Sequence, residues 1–227
     1  MDITNTIVVI TGASSPLGRM VALHFAGSGA TVAAVDHQPQ DLLLTVTACK
    51  ALNPSCAGFT ASGESIPSIE AAFADIEGSL GKFKILVNCW HSLALPSLLN
   101  CDAIDQYCAL VNSTLTAHLH FGQIAAQKMI DNGQAGVIVN LADVPHSISN
   151  ADALGTREMI AGLTQSWAKE LSPYHIRVGG IVPRTAAKVP MDAHDQVGLL
   201  HEMVRNVEYI VDNDYFNGRL IEAQAGE

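Results

Sequence analysis

Thr-Ile-Val-Val-Ile-Thr-Gly-Ala-Ser-Ser-Pro-Leu-Gly, residues 6–18, is the stretch from which the rest of the chain takes its order. Ile7 to Ile10 are four apolar residues in a row, the pattern of a parallel strand buried on both faces. Thr11 and Gly12 turn the chain, and Arg19 to Ala26 continue as a helix with apolar Met20, Leu23 and Ala26. Strand, glycine turn and helix open a nucleotide-binding βαβ unit. Thr31 to Val35 form a second strand that ends on Asp36, 24 residues after Gly12. An acid there suits the ribose hydroxyls of NAD and disfavours the 2′-phosphate of NADP. A solvated strand-end aspartate with no ligand is the competing reading.

Further along, the periodicity predicts alternating helices and strands. Asp41 to Leu52 reads as a helix with Leu42, Leu43, Val46 and Leu52 inward, and Ala57 to Ala61 as a short third strand. Ser65 to Leu80 reads as a helix with Ile69, Ala72, Phe73 and Ile76 on one face. Lys84 to Val87 is the fourth strand and runs into Asn88, Cys89, Trp90 and His91. Residues 103–132 form a long helical pattern that stops at Asn132-Gly133. Its small and apolar positions Ala109, Leu115, Ala117, Leu119 and Ala125 fit a helix with more than one neighbour. A fifth strand follows from Gly136, a helix over 153–171, and a sixth strand from Ile176 to Pro183. His201 to Val211 is the last helix.

The 227 residues suit one α/β domain spanning 1–227, with no repeat, linker or low-complexity segment. Apolar content of 48% against 15% charge fits a parallel sheet covered on both faces and buried subunit interfaces. A net charge of −10 argues against nucleic acid and against an anionic membrane surface. The first residues show no basic, signal-like segment, and no apolar run is long enough to span a bilayer. Five cysteines without zinc spacing read as reduced thiols, so a cytoplasmic location is expected. His118 and His120, two apart on a helix, lie on different faces, so no metal site is expected.

Residues 11–18 resemble the Thr-Gly-x-x-x-Gly-x-Gly opening of the short-chain dehydrogenase/reductase family, with Pro16 in place of the middle glycine. The resemblance extends over nearly the whole chain. Gly136-Val-Ile-Val-Asn-Leu-Ala-Asp143 is similar to the family's fifth strand, Ala161 to Leu171 to its sixth-helix run, and Asn217 to Glu222 to its final strand. It implies a single-domain, Rossmann-type, doubly wound parallel sheet flanked by helices. It also implies that Gly12, Ser14, Ser15, Leu17, Gly18 and Asp36 are what remains of a dinucleotide grip. The family's Asn-Asn-Ala-Gly becomes Asn88-Cys89-Trp90-His91, and its adenine-contacting aspartate is replaced by Ser62-Gly63. Its Pro-Gly near the nicotinamide becomes Pro183-Arg184, and residues 185–200 should hold a brief substrate lid.

Of the family's catalytic tetrad only Asn112 is retained. The serine position falls on Asp143. Counting back nine residues from Gly162 puts the tyrosine on Ala153 and the lysine on Arg157, after a loop shorter than is usual in the family. No tyrosine occurs from 108 to 173 to replace it. Ala153 has no proton to give, and a positioned acid or base is worth roughly 10²–10⁴ in rate. An ionised Asp143 would oppose the alkoxide charge such a site must stabilise. Arg157 keeps a cation but not the shape of lysine. Pro16 suits the start of a helix but has no N–H for a phosphate.

The resemblance therefore implies a degenerate member, without a resident cofactor, or with NAD if any. It is similar to non-catalytic subunits that pair with an active paralogue in two-subunit dehydrogenases, including hydroxyacyl-CoA dehydrogenases. The implied contact is a hetero- or homo-oligomer through the helices near 103–132 and 153–171. Two other readings stay open. One is an NAD-dependent oxidoreductase with remodelled residues, Asp143 or His146 as base and Arg157 on the ribose. The other is a nucleotide or metabolite sensor without chemistry.

Overall fold

The structure is a computed structural model and describes residues 3–89, 103–110, 115–142, 150–184 and 193–224. Seven parallel strands form one sheet in the order β3-β2-β1-β4-β5-β6-β7. They are β1 (Ile7–Thr11), β2 (Thr31–Asp36), β3 (Ala57–Thr60), β4 (Ile85–Asn88), β5 (Gly136–Leu141), β6 (Ile176–Pro183) and β7 (Arg219–Ala223). The helices are α1 (Pro16–Gly27), α2 (Pro39–Leu52), α3 (Ile66–Ser79), α4 (Ala103–Leu110), α5 (Thr116–Asp131), α6 (Asn150–Leu171) and α7 (Ala193–Asp212). The strand order reverses between β1 and β4, and in such sheets ligands bind outside the strand ends at that crevice.

Alternation along β1 divides the core. Val8 and Ile10 pack under α1, α2 and α7, with Leu17, Phe25, Val46 and Met203. Val9 packs under α3, α5 and α6, with Phe73, Phe121 and Trp167. Each fully buried side chain of this size contributes about 1.5–3 kcal/mol. On the second face Phe73 meets Phe83 and Phe121 with ring centroids 5.3 and 6.3 Å apart. Burial on both faces explains why the central strands β1, β4 and β5 read as mainly apolar runs, while the edge strands β3 and β7 do not.

α3 buries Ile69, Ala72, Phe73 and Ile76, as its pattern predicts. α2 differs from expectation. It buries Leu42, Thr45, Val46 and Cys49, while Leu43 and Leu52 are 64% and 54% exposed. The spacing i, i+3, i+4, i+7 from Leu42 defines one face, and Leu43 and Leu52 fall off it. The long helical pattern is described as α4 and α5, with residues 111–114 outside the described residues. α7 begins at Ala193 rather than His201, so the latter half of the stretch expected to hold a lid is helix. Among the described residues no helix is long and apolar enough to cross a membrane.

Candidate functional site

β1 delivers the chain to the switch point. Gly12 adopts φ +63°, a left-handed conformation that glycine tolerates without steric cost. The Ser15 N–H closes the turn onto the Gly12 carbonyl at 3.0 Å. Ser15 then caps α1, its Oγ accepting the Gly18 N–H at 3.0 Å, with Pro16 at the first helical position. Leu17 is fully buried in the core below. Gly18 is required by close packing. A Cβ there would overlap the Gly12 carbonyl oxygen and stand 2.8 Å from its carbon. The Thr45 hydroxyl donates to the Ala13 carbonyl at 3.0 Å and ties α2 to the same turn.

Neighbouring strand ends are joined by buried side chains whose bonding to one another was not read from the sequence. Thr11 Oγ1 donates to Asn88 Oδ1 at 2.9 Å and accepts the Cys89 N–H at 3.1 Å. Asn88 Nδ2 donates to the His118 carbonyl at 2.9 Å, fastening α5 to β4. Asn140, in register with Asn88, donates to Thr164 Oγ1 of α6 at 3.3 Å. Thr11, Asn88 and Asn140 are all fully buried. Polar residues at the ends of otherwise apolar strands were the available signal, since buried polar groups must be paired.

Asp36 is fully buried at the end of β2. Its Oδ2 accepts the Ser14 N–H at 2.9 Å, and its Oδ1 accepts the His37 and Gln38 N–H groups at 2.7 and 3.3 Å. His37 Nδ1 stands 3.0 Å from the same oxygen. The residues around Gly12 therefore fit a dinucleotide only in part. Gly12 takes the left-handed conformation that such a turn needs, and the buried Ser14 Oγ has no partner. Pro16 brings no N–H, and the Asp36 oxygens are closed to a ribose.

α6 places Ala153 and Arg157 one turn apart. The Arg157 guanidinium is held by Glu222 of β7 and, at 2.6 Å, by Glu158. The contact with Glu222 pushes the arginine pKa up. The cation is thus spent on the fold's own carboxylates at the sheet edge. Arg184 likewise turns to β7, its N–H donating to the Ala223 carbonyl at 2.7 Å and its Nη1 to Gln224 Oε1 at 2.6 Å. Asn112, Asp143, Trp90, His91 and His146 lie outside the described residues.

On the outer face of α5 and α6 lies a groove of about 550 Å³. It is lined by Leu119, Gly122, Ala126, Ile130, Trp167 and Tyr174 among others. Leu119 and Tyr174 are 42% and 50% exposed.

A model of the short chain dehydrogenase family matches residues 6–196. The 2,3-dihydro-2,3-dihydroxybenzoate dehydrogenase of Bacillus subtilis is 28% identical over 184 residues, 80% of this chain and 70% of that one. The (3R)-3-hydroxyacyl-CoA dehydrogenase of Homo sapiens is 24% identical over 248 aligned positions, 98% of this chain and 95% of that one. Among solved structures, an NAD+-bound xylitol dehydrogenase superposes with a TM-score of 0.83 at 19% identity, covering 100% of both chains. That likeness shows the shared fold.

Proposed function

The chain belongs to the short chain dehydrogenase family, and on that premise we propose that it is a non-catalytic subunit that pairs with an active paralogue in a cytoplasmic, hetero-oligomeric oxidoreductase. The observation that carries this reading is on α6. By the resemblance Ala153 falls on the position of the family's acid/base, and one turn later Arg157 is bound to Glu222 and Glu158. Neither a proton donor nor a free cation is offered at the two positions on which the family's chemistry depends. The groove between α5 and α6, where exposed Leu119 and Tyr174 stand beside Gln123, Gln127 and Glu170, is a mixed apolar and polar surface of the kind that the matching helices of a partner would cover.

The near full-length likeness to a hydroxyacyl-CoA dehydrogenase favours that class of reaction for the assembly. The two-subunit arrangement of 2-(α-hydroxybenzyl)succinyl-CoA dehydrogenase, one of whose subunits has lost the active residues, is the case this chain resembles.

A second reading rests on the left-handed turn at Gly12 and the unpartnered Ser14 Oγ. Both favour retained binding of a nucleotide, whether in a remodelled NAD-dependent enzyme or in a sensor. Assaying the purified chain against hydroxyacyl-CoA substrates with NAD, alone and with its paralogue, separates these readings. The subunit reading expects turnover only with the paralogue present and no effect of Asp143→Ala on it. Turnover by the chain alone, lost on Asp143→Ala, would favour the remodelled enzyme. NAD binding without turnover, in a chain that pairs with no paralogue, would favour the sensor.

A further inference from the structure

Asp36 stands where the sequence pattern expects a ribose acceptor, yet its surroundings fit a different task. The three backbone N–H groups it accepts come from two segments, Ser14 in the glycine turn and His37 and Gln38 in the loop before α2. Turns leave such donors without regular partners, and a buried amide left unpaired is costly. The same junction gathers further bonds. The Ala13 N–H donates to the Val35 carbonyl at 3.2 Å, and the Ala61 N–H donates to the Asp36 carbonyl at 3.0 Å. One carboxylate thus joins the β1–α1 turn to the end of β2, beside the exit of β3. A ribose hydroxyl must come within about 3 Å of a carboxylate oxygen to bond it. No surface of Asp36 is open to one. The first side chain beyond it is His37, 43% exposed, whose Nδ1 also faces Asp36 Oδ1.

We propose that Asp36 is a clamp holding the glycine turn to β2 rather than the acceptor for ribose hydroxyls, and that any preference of the chain between NAD and NADP is independent of it. The carboxylate charge that would reward a ribose diol and repel a 2′-phosphate is spent on N–H donors inside the fold. This goes beyond the pairing reading and does not depend on it.

The test titrates NAD and NADP separately into the full chain and into Asp36→Asn, by calorimetry. The expected result is a ratio of the two dissociation constants that differs by less than about threefold between wild type and variant. Asp36→Asn should also lower Tm by about 5–10 °C, because an amide set against donors leaves one of them unpaired. Amide exchange of Ser14 in the wild-type chain gives a reading that survives failure of the variant to fold. It should be protected like the core strands, and where neither dinucleotide binds this reading decides. An NAD preference that Asp36→Asn reduces by about tenfold or more overturns the proposal. So does a Ser14 amide that exchanges like an open loop, or a variant as stable as wild type.

Discussion

Replacing Gly18 by alanine tests how tightly the glycine turn is packed. A Cβ at Gly18 overlaps the Gly12 carbonyl oxygen and stands 2.8 Å from the Gly12 carbonyl carbon and 3.1 Å from Ala13 Cα. All three obstacles are backbone, so no side chain can swing aside. Relief requires α1 to move from the turn by about 1 Å, which strains the Ser15 cap and the bond from the Ser14 N–H to Asp36. Overpacking on this scale, with a cap disturbed, costs about 3 kcal/mol. For a domain of this size that corresponds to a fall in Tm of about 6–12 °C. Gly78 is the internal control. It lies in α3, and nothing stands within 4 Å of the Cβ it would gain. Gly78→Ala should raise Tm by about 1–3 °C through helix propensity. Thermal unfolding of wild type and both variants under one condition is the assay. A Gly18→Ala variant within about 2 °C of wild type would falsify the close approach of α1 to the turn.

Other perturbations follow from individual side chains. Arg177 is largely buried and donates to the carbonyls of Ile210 and Val211 at 2.9 Å and of Phe216 at 3.1 Å, closing the end of α7. Arg177→Met should cost about 2–4 kcal/mol in denaturant unfolding, since it strands these acceptors; a loss below about 0.5 kcal/mol would contradict the capping role. Burial pushes the Cys49 thiol from 9.0 up to about 11, with Cys56 adding to the shift. The folded state then holds that proton more tightly than the unfolded state, so the contribution is complete below pH 9 and is lost as pH rises towards 11. Cys49→Ala should flatten this alkaline limb of the stability profile, and an unchanged limb would show that the thiol is not its source. The ion pair between Arg157 and Glu222 is partly exposed on both sides. Glu222→Gln should therefore leave stability nearly unchanged and should not create turnover; activity in that variant would mean that Arg157 needs only release to serve a substrate.

The sheet was legible because its strands are buried on both faces. Four apolar residues ahead of the Thr11-Gly12 turn and the fully buried run Gly136–Leu141 of β5 leave little alternative to parallel strands. Helix faces were legible where apolar spacing was clean, as in α3, and misread where leucines crowd. α2 carries Leu42, Leu43 and Leu44 in succession, and only rotation about the helix axis tells which one points inward. The start of α7 was hidden because Ala193 to Val197 mixes small, polar and charged residues, and the apolar stripe becomes dense only from Leu199. At the site, the turn geometry was written in Gly12, Ser15, Pro16 and Gly18. The engagement of Asp36 by Ser14, 22 residues earlier, was not, nor was that of Arg157 by Glu222, 65 residues later. Both depend on which neighbour a side chain meets in space.

The most direct test of the subunit reading is native mass spectrometry of this 24.0 kDa chain isolated, tagged, from its own cells. The account predicts a defined assembly with a second short-chain dehydrogenase that retains the catalytic Tyr-x-x-x-Lys pair. It also predicts that substitutions in the α5–α6 groove, such as Leu119→Lys, dissociate that assembly. A stable monomer, or a homo-oligomer that turns over substrate without any second chain, would contradict it.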